Sequence, residues 1–171
     1  MEYKASFDTM TKVMSVGVIA LLAFVCLRCV REILAAQGDK TTVLIQSGII
    51  IFLVAAIVFS YLFSVDKYLI EDNQLVIKRP IGDKRYSLRD IVEVRAIEKG
   101  EMAGTIRTFG NGGLFGYYGK FSNSTFGSMT WYTTQRANKV FIRTINGDKI
   151  VITPDDLSLV DRLKGGMSKI E

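Results

Sequence analysis

The stretch TVLIQSGIIIFLVAAIVFSYLFSV, residues 42–65, decides the fold, because it contains no charged side chain and only one amide, Gln46. As a helix it would be about 36 Å long, which is enough to cross a hydrocarbon core of about 30 Å. A second apolar run, residues 13–27, extends to residues 10–30 if the long stems of Lys12 and Arg28 carry their charges to the interface. We therefore predict membrane spans at about residues 10–30 and 42–65.

The two predicted spans are joined by a short polar connection that ends in Gln-Gly-Asp-Lys, residues 37–40, a typical turn sequence. Such a connection predicts an antiparallel hairpin whose two outer ends lie on the same side of the membrane. More Lys and Arg residues flank these outer ends than lie in the connection, and an excess of Lys and Arg marks the cytoplasmic side. We expect residues 1–65 to form the membrane hairpin and residues 66–171 a cytoplasmic domain.

A cleaved signal peptide is the competing interpretation of the first apolar run. The charged residues Arg28, Arg31 and Glu32 oppose it, because they separate the run from Ala35-Ala36, the small-residue pair that could serve as a cleavage site. The membrane hairpin is therefore the favoured interpretation.

From residue 66 onward the pattern changes to short apolar segments separated by turn residues. Asn146-Gly147 is the strongest of these turns, because Asn-Gly favours a tight hairpin. Strands are predicted at residues 68–70, 75–78, 84–88, 91–97, 128–133, 140–145 and 149–153. Short strands at this spacing predict a small antiparallel barrel or sandwich.

The last part of the chain has the features of one amphipathic helix. Thr153 is a suitable N-cap, Pro154 suits the first helical position, and Gly165-Gly166 would end the helix. Leucine and valine recur at helical spacing between these signals, so this helix is expected to cover an open end of the β-structure.

Two segments resemble bacterial PH-like domains, which have the pleckstrin-homology superfold. They are VFIRTINGDKIVITPDD, residues 140–156, and GNGGLFGYYGKF, residues 110–121. The resemblance covers about residues 66 to 165 and implies an α+β chain: a two-helix transmembrane hairpin followed by an antiparallel β-barrel or sandwich that one C-terminal helix caps. It also implies a multi-pass protein of the bacterial inner (plasma) membrane, in a family that mostly lacks an assigned activity.

The composition opposes most catalytic chemistry. The chain has no histidine, which excludes Ser-His-Asp and Cys-His catalysis and most zinc sites. Cys26 and Cys29 lie in an apolar run with no strand before them, unlike a redox motif. We predict a protein without enzymatic activity, cofactor or metal. An enzyme whose site uses Tyr, Lys and a carboxylate such as Glu98 or Glu101 is the remote alternative.

Five cations surround the predicted turn at Pro80-Ile81, and they are the first candidate site: Lys78, Arg79, Lys84, Arg85 and Arg89. Like charges that flank a hairpin repel each other, so anionic lipid would relieve a cost. An ordinary solvated hairpin is the alternative. Eukaryotic PH domains that bind phosphoinositides carry basic residues in the first strand–strand loop, which here is the acidic Glu71-Asp72-Asn73, so no specific inositol-phosphate site is predicted.

The segment from Gly110 to Phe121 mixes glycine with aromatic residues and holds the second candidate site. It does not fit a dinucleotide-binding fingerprint, because Phe115 stands where that motif needs glycine. Either the segment folds into the core, or it forms an exposed tip that contacts headgroups or a partner. The residues of this candidate interaction loop are Leu114, Phe115, Tyr117 and Tyr118.

The favoured function is a membrane-anchored, non-enzymatic interaction module at the cytoplasmic face, which recruits a protein partner or senses anionic lipid. The alternative is an accessory subunit of a larger membrane complex, where Ala56 and Ser60 offer a small face for helix packing. The expected partners are the bilayer and a protein or a second copy of the chain. Nucleic acid is not expected, because no basic run or recognised motif supports it.

Overall fold

The computed structural model describes residues 1–98 and 100–167, which form a helical hairpin joined to a β-sandwich. The hairpin consists of α1, Thr9–Ala35, and α2, Lys40–Leu62. Both helices are long and apolar enough to cross a membrane, and an 18-residue window has a mean hydropathy of 2.5 in α1 and 2.6 in α2. Each begins at an aspartate whose carboxylate accepts hydrogen bonds from backbone N–H groups of the first turn.

Two sheets form the sandwich. The first sheet is antiparallel and contains, in spatial order, β1 (Glu2–Lys4), β2 (Lys67–Glu71), β3 (Gln74–Lys78) and β4 (Lys84–Ser87). The second sheet has the order β5-β9-β10-β8-β7-β6, and only β8 and β10 run parallel. Its strands are β5 (Ile91–Ala96), β6 (Ile106–Gly113), β7 (Gly116–Asn123), β8 (Gly127–Thr133), β9 (Val140–Thr144) and β10 (Lys149–Ile152).

The predicted α+β fold class is confirmed, and of the two predicted β-architectures the sandwich is the one that forms. Within the described residues the two sheets do not close into a barrel. A short 3-10 turn, Leu88–Asp90, carries the chain from β4 in the first sheet to β5 in the second. One C-terminal helix, α3 (Ser158–Met167), packs against β5 and this turn.

Strand β1 belongs to the sandwich, although it lies within residues 1–65, the predicted membrane hairpin. It pairs antiparallel with β2, and Tyr3 lies opposite Tyr68. Three residues are too few to show an alternating pattern, so this strand has no signal of its own and depends on its pairing with β2. The chain therefore leaves the sandwich at β1, forms the helical hairpin, and returns to the neighbouring strand.

The main core lies between the sheets and under α3. It contains apolar side chains from the inner faces of both sheets and from α3, among them Leu75, Ile77, Ile142, Ile152 and Leu159, which are all fully buried. Tyr68 crosses this core, where its hydroxyl donates to the Tyr132 carbonyl at 2.7 Å and accepts from the Thr153 N–H at 3.1 Å. Burial raises the pKa of Tyr68, so the phenol stays neutral.

A second apolar cluster covers the outer face of the second sheet. Phe121 stacks on Trp131 with ring centroids 4.2 Å apart. Met102, from the connection between β5 and β6, packs over the cluster. The ion pair of Arg95 with Glu101, 2.7 Å long, holds this connection in place. The central strands β9 and β10 of the second sheet are therefore buried on both faces, which explains their almost continuously apolar sequences.

The predicted start and end of the C-terminal helix are wrong. Helix α3 begins at Ser158, whose N–H donates to the Asp156 carboxylate at 2.8 Å. The predicted N-cap, Thr153, instead accepts a hydrogen bond from Thr134 N–H at 3.0 Å and ties β10 to the end of β8. The helix also continues through Gly166, where a Cβ would lie 2.7 Å from Leu88, so this glycine permits close packing.

We expect Tyr68→Phe to destabilise the protein by about 1–3 kcal/mol, because it leaves the buried Tyr132 carbonyl and Thr153 N–H without their partner. The measurement is chemical unfolding of the full chain in detergent. Tyr3→Phe is the matched control, since no hydrogen bond of the Tyr3 hydroxyl is found among residues 1–98 and 100–167. Equal stability of the two variants would contradict this role for Tyr68.

Candidate functional site

The end of α2 is completed by hydrogen bonds from the sandwich. A helix leaves its last four carbonyl groups without helical partners. The Ser60 carbonyl accepts from the Tyr118 hydroxyl at 2.6 Å, and the Leu62 carbonyl accepts from the Ile81 N–H at 3.1 Å. Residues just after the helix satisfy the other two carbonyls. The turn between β3 and β4 and the strand β7 are therefore fixed to the end of α2.

The start of α1 is fixed to the sandwich in the same way. Asp8 caps α1 by accepting from Thr11 N–H at 2.7 Å, and its other oxygen accepts from Arg136 N–H at 3.0 Å. One turn later, the Ser15 hydroxyl donates to the Gly113 carbonyl at 3.3 Å and accepts from the Phe115 N–H at 2.9 Å. About two turns of α1 thus lie beside the sandwich before the helix extends away from it.

The predicted interaction loop forms the end of the β6–β7 hairpin and packs against the bases of both helices. Leu114, Phe115 and Tyr118 are half-buried there, and the Phe115 ring contacts the Tyr61 ring of α2 at a centroid distance of 5.7 Å. Tyr117 is buried in the outer-face cluster of the second sheet. Burial raises the pKa of Tyr118, whose hydroxyl is held between α2 and β6. That this loop binds a partner stays a prediction.

Two of the five predicted basic residues are held within the β3–β4 turn. Lys78 Nζ lies 2.6 Å from the Asp83 carboxylate, and this hydrogen bond holds the pKa of Asp83 below its usual range. Arg79 donates to the Gly82 carbonyl, and its guanidinium lies 5.5 Å from the centroid of the Phe63 ring. These two cations therefore stabilise the turn directly below the end of α2.

The next two predicted basic residues have exposed side chains. Lys84 and Arg85 are both exposed on the edge strand β4, and within the part of the chain that the structure describes neither makes an ion pair or a side-chain hydrogen bond. They follow the turn whose Ile81 is bonded to α2, so they lie near the base of the helix.

Arg89 does not join the other four cations. It follows β4 in the 3-10 turn, five residues beyond Lys84, which is about 15 Å along an extended strand. The neighbouring Leu88 N–H bonds to the Asn73 carbonyl, so Arg89 lies beside the β2–β3 turn, at the opposite end of the sandwich from the helices. The acidic turn Glu71-Asp72-Asn73 lies at this distal end as well.

The strand register adds two lysines that the sequence pattern did not reveal. Lys4 on β1 lies opposite Lys67 on β2, and Lys67 lies opposite Lys78 on β3. Like charges in directly opposed positions are destabilising. The ion pair of Lys67 with Glu2, 3.3 Å long, offsets part of this repulsion. Lys4, Lys67 and Lys78 thus form a row across the end of the first sheet next to the helices. The row depends on the pairing of β1 with β2.

A further basic pair lies beside the start of α1, in the connection between β8 and β9. Lys139 Nζ lies 5.7 Å from the Trp131 ring centroid, and burial lowers the pKa of Lys139. Arg136 lies over the Tyr117 ring at 5.6 Å. The helix-proximal end of the sandwich is therefore basic on more than one side. Among the described residues, no group of three or more His, Cys, Asp or Glu side chains is placed to hold a metal ion.

The distal end carries acidic residues in three turns. Asp72 lies in the β2–β3 turn, Asp90 in the 3-10 turn and Asp148 in the β9–β10 turn. The Asp90 carbonyl accepts from Ile145 N–H, which places the last two turns side by side. The basic clusters thus lie at the helix-proximal end, together with Asp8 and Asp83, and the distal turns carry these three aspartates together with Arg89.

Comparison with known protein families agrees with this fold. The family described as bacterial PH domain matches residues 66–165, which run from the end of the helical hairpin to α3. No curated protein and no solved structure matches the chain. PH domains are generally non-catalytic modules that bind proteins or lipids. On the extent of this match and the agreement of the fold, the chain belongs to the bacterial PH domain family.

Proposed function

We propose that this chain is a membrane-anchored, non-enzymatic interaction module that holds the basic end of its PH domain against the anionic headgroups of its own bilayer. The observation that carries the proposal is the hydrogen bond from Ile81 N–H to the Leu62 carbonyl. This bond attaches the basic β3–β4 turn to the last residue of α2.

If α2 spans the bilayer, its last turn lies at the level of the headgroups, and so does any segment bonded to that turn. Lys84 and Arg85 are then exposed cations at the membrane surface, and neither forms an ion pair or a side-chain hydrogen bond among the residues described. A cation near an anionic leaflet gains roughly 1 kcal/mol. The row of Lys4, Lys67 and Lys78 adds a reason for an anionic partner, because their repulsion falls when negative charge lies nearby.

Of the two carboxylates named in the enzyme alternative, Glu98 and Glu101, the second has a structural role. Glu101 accepts two hydrogen bonds from Arg95, at 2.7 and 2.8 Å, and one from the Glu98 N–H. The Arg95 hydrogen bonds lower the pKa of Glu101 to about 2, so it is a poor proton acceptor at neutral pH. This arrangement supports a binding module rather than an enzyme.

A protein partner is the second candidate, and the edge strand β6 favours it. Ile106 and Phe109 on this strand are 64% and 77% exposed, and among the described strands β6 pairs with β7 alone. An exposed apolar edge strand can pair with an extended segment of another chain. In a larger membrane complex, the accessory-subunit alternative, this edge would be the contact.

A photo-crosslinker in place of Phe109 is expected to capture a partner protein in native membranes, because this side chain is exposed on the edge strand β6. The same probe at Ile145, which is 69% exposed at the distal end, is the matched control. Crosslinks at Phe109 that contain only lipid, or the same proteins as the control, would count against a partner on this edge.

The PH domain is proposed to lie on the cytoplasmic side of a bacterial inner membrane, because Lys and Arg residues concentrate at the helix ends that join it. The expected result is that Arg89→Cys, in a chain whose Cys26 and Cys29 are replaced by alanine, resists an impermeant thiol reagent in intact spheroplasts and reacts after lysis. Labelling of intact spheroplasts would reverse the orientation.

For lipid contact, we expect Lys84→Glu/Arg85→Glu to remove roughly 1 kcal/mol or more of surface attraction per residue. The full chain is reconstituted in nanodiscs of phosphatidylcholine, with or without phosphatidylglycerol, and hydrogen exchange of residues 79–83 is measured. Exchange in the wild type should slow when phosphatidylglycerol is present, and the variant should lose this effect.

The matched control is Arg89→Glu/Arg162→Glu, which makes the same charge change with two exposed residues of the distal end. This variant should keep the response to phosphatidylglycerol. The same response in both variants, or no response in the wild type, would refute the lipid contact of the β3–β4 turn.

A further inference from the structure

The tip of the β6–β7 hairpin is the two-residue turn Leu114-Phe115, between the end of β6 at Gly113 and the start of β7 at Gly116. Both turn residues are apolar, and both are half-buried. We propose that this tip lies below the membrane surface, in contact with the acyl chains of the leaflet that the sandwich faces. The inference rests on the proposed function, because it requires the two helices to span the bilayer.

The backbone polar groups of the tip have partners within the protein. The Asn111 amide accepts from the Leu114 N–H at 3.2 Å and donates to the Leu114 carbonyl at 2.7 Å. The Ser15 hydroxyl accepts from the Phe115 N–H at 2.9 Å and donates to the Gly113 carbonyl at 3.3 Å. Water can satisfy such groups in an ordinary exposed turn, whereas hydrocarbon cannot, so non-helical backbone at membrane depth must find its partners in the protein. The tip meets this requirement at these groups.

Phe115 has a backbone conformation that is unusual for a bulky residue. Its φ is 56°, in the left-handed region, at the second of the two turn residues. A positive φ at this turn position favours glycine or asparagine, and an aromatic residue there strains the backbone. The Phe115 ring packs edge-on against Tyr61, which is itself 55% exposed. Asparagine or glycine would suit this turn better in water, whereas the boundary of a bilayer favours aromatic rings.

Exposed apolar side chains of both helices lie beside the tip. On α1, Val13 and Met14 are 62% and 42% exposed. A Cβ at Gly113 would lie 3.7 Å from the Met14 side chain, so the end of β6 contacts this part of the helix. On α2, the exposed Tyr61 ring contacts Phe115. The tip therefore continues the apolar surface of the helical hairpin, which is the surface that acyl chains cover.

The charged residues of α1 indicate the depth of the tip. Arg28 forms an ion pair with Glu32, 3.8 Å long, on the next turn toward the end of α1 that is remote from the sandwich. This pair marks the outer boundary of the hydrocarbon. The helix from Glu32 back to Lys12 is about 30 Å long, the thickness of a hydrocarbon core, so the inner boundary falls near Lys12. Ser15, to which the tip is bonded, lies about 4.5 Å inside that boundary. A tilt of α1 would move the boundary toward Asp8 and place the tip deeper.

The test places single nitroxide labels on the full chain in liposomes of phosphatidylethanolamine and phosphatidylglycerol, with Cys26 and Cys29 replaced by alanine. Collisions with dissolved oxygen report an acyl environment, and collisions with a water-soluble nickel chelate report an aqueous one. Relative to a label on Ile145→Cys, at the exposed distal end, the label on Leu114→Cys should gain access to oxygen and lose access to the chelate. A label on Val13→Cys should show the same shift from the surface of α1, away from the turn.

Access of the chelate to the Leu114→Cys label as high as at Ile145→Cys would overturn the insertion of the tip. If Leu114→Cys does not fold, the Val13→Cys label takes its place, and an aqueous result there would overturn the insertion equally.

A label on Lys84→Cys separates this result from the proposed function, because Lys84 follows the β3–β4 turn that the proposed function places among the headgroups. An aqueous Leu114→Cys label together with a headgroup-level Lys84→Cys label would overturn the insertion and leave the proposed function standing. A Leu114→Cys label among acyl chains, with the Lys84→Cys label in bulk water, would support the insertion and refute the headgroup contact of the β3–β4 turn.

Discussion

The structure depends on satisfying the last carbonyl groups of α2. An unpaired carbonyl in apolar surroundings costs several kcal/mol, and α2 ends where its apolar surface ends. The sandwich supplies two of the missing donors, the Tyr118 hydroxyl and the Ile81 N–H. Asp8 and Ser15 bind the N-terminal part of α1 to the same side of the sandwich. Both helices are therefore held at the ends that adjoin the sandwich. The PH domain is therefore a fixed extension of the helical hairpin, and its orientation follows that of α2.

Because the orientation of the sandwich is fixed, its charged ends hold fixed positions relative to the helices. On a flexible linker, the domain would rotate and expose its basic and acidic ends to the membrane in turn. Here the pairing of β1 with β2 brings Lys4 and Lys67 to the helix-proximal edge, and the Ile81 bond keeps the β3–β4 turn beside them. The acidic Asp72 and Asp148 are held at the other end. If α2 crosses a bilayer, the same hydrogen bonds that complete the helix select which surface of the sandwich faces that bilayer.

Local sequence signals predicted the elements that stand on their own patterns. Hydropathy alone predicted the two long helices, and Asn146-Gly147 predicted the β9–β10 hairpin. Features that depend on tertiary pairing could not be found in this way. The strand β1 forms through its pairing with β2. Thr153, the predicted helix cap, instead accepts a hydrogen bond from the Thr134 N–H. For the same reason the sequence places Arg89 beside Lys84, whereas strand β4 separates the two residues in the structure.

The glycine residues of the β6–β7 hairpin allow it to pack closely between the helices and the neighbouring strand. A Cβ on Gly119 would lie 2.7 Å from the Gly110 Cα on the opposite strand, and one on Gly116 would lie 2.7 Å from the Thr133 carbonyl oxygen. The glycines therefore let the hairpin lie close to its neighbours, while Phe115 and Tyr118 contact the helices. This segment resembles a phosphate-binding loop in composition, but its glycines here permit close backbone packing. Gly112 likewise leaves room for the Arg107 side chain, which lies beside Tyr117 and Phe121 on the other face of the hairpin.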